Sequence, residues 1–239
     1  MRFLLIVAFL FSSNFINAQV NLKQLKSASN LGQKLISSSN LSQSEAAKGL
    51  KEALTIGAKN AAKKASQIGG FNDNKLIKIP FPKDAEKMKK ILINYGMQSQ
   101  IDKFEYLLNQ AAEEASALAL DIFINAVNKM TIDDAITILN GEDNAAANYL
   151  KKHTFKKLSI DFKPIVKSSI ETVGLANSWN ILTTRYNSIP MTKDIPANLE
   201  DYVTYMAIDG LFVLIEQEES NIRNNPNARV TAILQRVFK

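Results

Sequence analysis

No cysteine occurs in this 239-residue chain. That excludes a disulfide framework, a thiolate metal site, a cysteine nucleophile and lipid attachment through a cysteine. Histidine is nearly as scarce: His153 is the single one, so no site can call on two imidazoles. No Gly-x-Ser-x-Gly turn is present to present a hydrolase serine. Gly69-Gly70 lacks the lysine spacing of a phosphate-binding loop. The Glu-x-x-His pairs of di-iron helical bundles are missing as well. Beyond Arg2 the arginines are Arg185, Arg223, Arg229 and Arg236 alone. So few guanidinium forks, which read phosphates and bases best, argue against a nucleic-acid partner. No cofactor and no metal is expected, and the reading leans away from catalysis.

What is present is the composition of a globular protein, 46% hydrophobic and 22% charged. The length supports a substantial core. The formal charge is +6, unevenly spread. Residues 19–100 hold 14 lysines against 5 acidic residues, a net of +9. Residues 101–239 hold 14 basic and 18 acidic residues, a net of −4. Either the basic front meets an anionic partner, or the two parts neutralise each other; the second is the simpler expectation.

The first residues, MRFLLIVAFLFSSNFINAQ, read as a secretory signal peptide. Arg2 is the positive start, Phe3 to Phe11 the apolar run, and Ala18 suits the position before cleavage. Ser12, Ser13 and Asn14 interrupt the run well short of the ~20 apolar residues that span a bilayer. No later stretch approaches that length. The expectation is an exported protein, periplasmic or secreted, with residues 1–18 removed. Residues 19–41, rich in Asn, Ser, Gln and Lys, read as a flexible polar tether.

Residues 42–239 read as one all-α domain, a compact bundle of about eight helices. Ser42 and Glu45 form a capping box opening a helix to about Ser66. Ala46, Leu50, Ala53, Gly57, Ala61 and Ala65 make its close-packing face, with Lys48, Lys51, Lys59 and Lys63 opposite. Pro80 and Pro82 keep the stretch after Gly69-Gly70 extended. Helix resumes at Asp84 and stops at Gly96. A long periodic stretch runs from about Ser99 to Met130, its stripe marked by Ile101, Phe104, Leu108, Ala111, Ala115, Leu118, Ile122 and Ala126. Thr131 caps a short helix, and another runs from about Asp143, with Pro164 kinking it or starting the next. Asn198 caps a long helix to about Asn224, and Pro226 begins the last one. Between Tyr205 and Ile215 that long helix is apolar all round, which places it at the centre of the core.

Several stretches in order are similar to the bacterial exported family catalogued as domain of unknown function 4197. They are Gly49-Leu50-Lys51-Glu52-Ala53-Leu54, Ile77-Lys78-Ile79-Pro80-Phe81-Pro82, Asn109-Gln110-Ala111-Ala112-Glu113 and Met130-Thr131-Ile132-Asp133-Asp134-Ala135. Asp201-Tyr202-Val203-Thr204, Asp209-Gly210-Leu211-Phe212 and Asn225-Pro226-Asn227-Ala228-Arg229 follow. The resemblance spans roughly Leu41 to Phe238 and implies export and an all-helical domain; it brings no activity. Family members often carry proline near Ser116, so the long helix around it is either continuous or bent.

Chemistry has few places to reside. Asp209 is the only charge in the apolar run, Glu216 shares its face, and Tyr202 and Tyr205 flank it. A carboxylate buried there must be paired, hydrogen-bonded or protonated. Glu113, with Asn109 one turn earlier, is a second candidate; Asp209, Glu113, Asn109, Tyr205 and Glu216 form the expected buried polar site. Lys48, Lys51, Lys59 and Lys63 form the expected partner-binding face. Glu219 and Arg223 read as a surface pair at i, i+4, the alternative being an anion site among Arg185, Arg223, Arg229 and Arg236. Three functions stay open: a non-enzymatic binder of an envelope or protein partner, a carrier of an apolar ligand such as a lipid, or a metal-independent enzyme. The last would use Asp209, Glu113 and Tyr149 or Tyr205 as acid–base groups.

Overall fold

Capping chemistry sets where the helices begin, and the first of them shows it in full. Ser42 Oγ accepts from the Glu45 amide at 3.2 Å, while the Glu45 carboxylate accepts from the Ser42 amide at 2.9 Å. The computed structural model describes residues 41–192, 195 and 198–238. The leader and all but the last residue of the tether lie outside the described residues. Leu41, that last residue, is already buried.

Nine α-helices follow, with no strand among the described residues. They are α1 (Gln43–Ala65), α2 (Glu86–Asn94), α3 (Gln98–Ser116), α4 (Leu120–Lys129), α5 (Ile132–Leu139), α6 (Ala145–Thr172), α7 (Leu175–Asn187), α8 (Leu199–Asn224) and α9 (Ala232–Val237). A second capping box, Thr131 with Asp134, opens α5, and the Asn198 side chain caps α8. Gly96 and Gly174 lie at φ +80° and +72°, turning the chain after α2 and before α7.

Helices α1 and α8 pack on each other and share the centre. Around them α8 meets α6 and α3, while α1 meets α4, α5 and α9. The alanine and glycine face of α1 permits this closeness: a Cβ on Gly49 would lie 2.6 Å from Val237 Cγ2 of α9. One core corner is aromatic, with Phe81, Phe104 and Trp179 rings at 5.0 to 6.0 Å.

Two open questions of helix extent are decided and one expectation is corrected. The long stretch from 99 to 130 is two helices, divided at residues 117–119. There the amides of Leu118 and Ala119 bond three residues back, to Ala115 and Ser116. The break turns Leu118 outward at 59% exposure and Ala119 fully inward. It lets α4 pack on α1 and α6 while α3 serves α6, α7 and α8, and brings Phe123 edge-on to Phe212 at 5.5 Å. Of the two expectations for Pro164, the start of a new helix fails: it sits inside α6, which runs on past it. The carbonyl it cannot serve belongs to Ile160, an exposed residue where water can substitute. Finally, Pro226 opens a 3-10 turn over Pro226–Ala228, and α9 starts only at Ala232.

Candidate functional site

The expected polar site divides into two parts. Asn109 and Glu113, one turn apart on α3, are buried and both face residues 69–83. Glu113 Oε1 accepts from the amides of Phe71 (3.0 Å) and Asn72 (3.2 Å), and Oε2 from that of Gly69 (3.2 Å). Asn109 grips Ile79 on both sides, accepting from its amide at 2.8 Å and donating to its carbonyl at 2.9 Å. The loop has no ladder of its own, so these two side chains take the place of a neighbouring strand. From α8, Tyr202 donates its hydroxyl to Pro80 O at 3.0 Å. Burial, then the charges of Glu86 and Glu105, push that phenol up to about 12. Gly210 supplies the opposite wall: a Cβ there would lie 2.7 Å from the Phe71 ring. Four of the stretches that carry the family resemblance thus meet at one loop and hold its backbone.

The glycine-led turn does form an anion-accepting nest of amides, and its anion is Glu113. The same arrangement recurs at the start of α6. Glu219 accepts from the amides of Ala146 (3.0 Å) and Ala147 (2.8 Å), a carboxylate at a helix N-terminus where the dipole favours it. Arg223 closes the site, donating Nε (3.0 Å) and Nη2 (2.9 Å) to Glu219 Oε1 and Nη2 to Ile138 O (3.0 Å). Beside it, Glu218 takes Lys64 and the Asn60 amide. Both glutamates are buried, which the reading of Glu219 as a surface pair missed. Helical spacing gives the pair, but only the approach of α6 buries it.

Asp209, Tyr205 and Glu216 are corrected in the other direction. They share a face of α8, yet it is the outer one: the Asp209 side chain is 47% exposed and Tyr205 48%. The stripe runs antiparallel to α6 and pairs with it rung by rung. Glu216 accepts from Asn144 (3.2 Å), Asp209 from Lys151 (2.7 Å), Tyr205 stacks on Phe155 (6.0 Å), and Asp201 meets Lys163 (2.6 Å). Asp201 raises the proton affinity of Lys163 by accepting its hydrogen bond. The helix is therefore not apolar all round; one narrow seam faces water between two helices. Asp209→Ala is expected to cost no more than about 1 kcal/mol, the worth of an exposed pair. On a domain this size the melting temperature would fall only ~2–4 °C. A fall beyond 8 °C in a thermal melt would show that the seam bears more than this geometry assigns.

Glu113, Glu218 and Glu219 accept from donors of the protein itself, and Asp209 holds Lys151 at the surface. Burial, then the nearby Asp134 carboxylate, pushes the Tyr149 phenol up to about 12. Asp134 is held below the usual range chiefly by Thr131, whose hydroxyl and amide both donate to it. Among the described residues no three His, Asp or Glu side chains gather in a metal-binding cluster. No helix among them is long and apolar enough to cross a membrane.

The expected lysine face is narrower than four residues. Lys48, Lys59 and Lys63 stand exposed on α1. Lys51 is half-buried and donates to the Asn128 carbonyl at 3.2 Å, in the last turn of α4, where a cation is favoured. The expected neutralisation of front by rear is only partial. Of the eleven lysines between residues 41 and 100, Lys64 and Lys89 form ion pairs, with Glu218 and Glu105, among the described residues.

Neither the curated proteins nor the solved structures contain a match to this chain. One family model does match, described as protein of unknown function (DUF4197), over residues 40–239. That span holds every described helix and each of the stretches that meet at the loop, and the chain belongs to this family.

Proposed function

We propose that this protein is an exported, non-enzymatic binder that engages an anionic partner of the cell envelope through the lysines of its amino-terminal half. The observation that carries the reading is the unneutralised lysine surplus. Two of the buried acidic groups are engaged elsewhere, Glu113 on backbone amides and Glu219 on α6 and Arg223. Lys48, Lys59 and Lys63 are left on one exposed side of α1, a helix rigidly seated at the centre of the bundle. Unpaired surface charge of one sign steers association with the opposite sign. Export is supported by the leader sequence, and the tether would give such a module reach.

The lipid-carrier alternative gains nothing from the α1 face that suggested it. Gly49 is covered by α9 and Gly57 by Glu218. The apolar pocket that remains there, between Leu50, Leu54, Ile215 and Phe238, holds about 10 Å³. That is room for about one water.

Exchanging Lys48, Lys59 and Lys63 together for Gln tests the proposal. The melting temperature should stay nearly unchanged, because exposed charges contribute little singly. Sedimentation with phosphatidylglycerol vesicles should fall severalfold at low salt, and the difference should shrink as salt rises. Equal sedimentation of parent and triple variant at low salt would refute the lysine face as the binding surface.

A further inference from the structure

Between the last two turns of α4 and the second to fourth turns of α6 lies a groove of about 270 Å³. Its floor is apolar, from Ile122 and Ala126. One wall is a ring pair, Tyr149 and His153, with centroids 4.3 Å apart and planes tilted by 32°. Its rim is cationic, from Lys129 and Lys157. Behind the wall lies Asp134, held by the capping box that starts α5. Lys157 is ion-paired with Asp161 at 2.6 Å, one turn further along α6. Lys129 has no ion-pair partner among the described residues. Lys51, bonded to Asn128 O, brings a further ammonium to the same end of α4.

We infer that this groove is a binding site for a small organic anion with a flat apolar body, such as an aromatic carboxylate. An apolar floor alone would take a neutral molecule, and lysines alone would take any anion from solution. An aromatic wall over an apolar floor, with Lys129 and Lys157 at the rim, favours a ligand that is both. The ring body would stack on Tyr149 and His153 while its carboxylate meets Lys129 and Lys157 at the rim. The volume suits a bicyclic ring system and is too small for a two-chain lipid. Lys48, Lys59 and Lys63 are not part of this site, so it stands or falls separately from the vesicle-binding surface.

His153 provides the readout, because the only histidine in the chain gives one imidazole set in a proton NMR spectrum. Titrating the full chain with 1-naphthoate should shift the His153 resonances saturably. Neutral 1-naphthalenemethanol and inorganic phosphate should each bind at least tenfold more weakly, since each supplies half of the match. Lys129→Gln with Lys157→Gln should weaken naphthoate at least tenfold, and Ala126→Leu, which fills the floor, should abolish the saturable shift. The Lys48, Lys59 and Lys63 exchange should leave the titration unchanged. A shift that never saturates, or one that survives both groove variants with the same affinity, overturns the assignment. Equal binding of the alcohol would overturn the role of the lysines, and equal binding of phosphate that of the aromatic wall.

Discussion

Replacing Glu113 by alanine is expected to destabilise the protein by about 3–5 kcal/mol, one of the two largest effects of any single change considered. The carboxylate serves three backbone amides at once, those of Gly69, Phe71 and Asn72. Water cannot easily replace it, because Phe71 is fully buried against α8. Each orphaned buried amide costs roughly 1–3 kcal/mol, and a charged acceptor stands at the upper end. The loop would also lose its hold on the core beneath Gly210. Glu113→Gln separates charge from shape. Its amide oxygen can still accept from Phe71 and Asn72, but its NH2 then confronts the Gly69 amide, donor against donor. We expect about 1–2 kcal/mol for that variant. Chemical denaturation measures both, and hydrogen exchange should show faster exchange across residues 69–79 before other regions respond. An alanine variant that unfolds at the parent's denaturant midpoint would mean that the clamp does not hold the loop.

Glu219→Ala should be comparably severe, at about 3–5 kcal/mol, for a different reason. It leaves Arg223, a cation only 11% exposed, without its carboxylate. It also strips two amides at the start of α6 of their acceptor. Breaking one half of a buried pair is worse than removing both. Arg223→Met combined with Glu219→Ala should therefore cost less than the sum of the single changes, with a coupling of ~1–3 kcal/mol in a double-mutant cycle. Additive costs would show that the two side chains do not act as a unit. Neither change should alter naphthoate binding in the groove until the protein unfolds.

These two glutamates also mark the limit of reading along the chain. The capping box at Ser42, the caps at Thr131 and Asn198 and the glycine stop at Gly96 were all legible, because capping and positive φ are settled within a few residues. So was the close-packing face of α1, since a period of 3.6 places Ala46, Leu50, Ala53, Gly57, Ala61 and Ala65 together whatever they meet. The division at residues 117–119 was legible only as an open question around Ser116, for no proline or glycine marks it; the partners of α3 and α4 impose it.

The sequence by itself determined the helical class, the ends of most helices, the family and the absence of any thiol or paired-imidazole chemistry. These depend on local geometry and on which functional groups exist at all. Only the tertiary structure decided which carboxylates are buried. Asp209 and Glu219 lie on one helix, ten positions apart, the first amid apolar neighbours and the second in an acidic run. Local hydrophobicity therefore points to burial of Asp209. The fold does the reverse: the Asp209 stripe lies on the outer seam beside α6, while the Glu219 face abuts the start of α6, whose free amides and Arg223 stabilise a desolvated charge. Burial of a charge follows from the donors that a distant segment brings, and no window along one helix contains them.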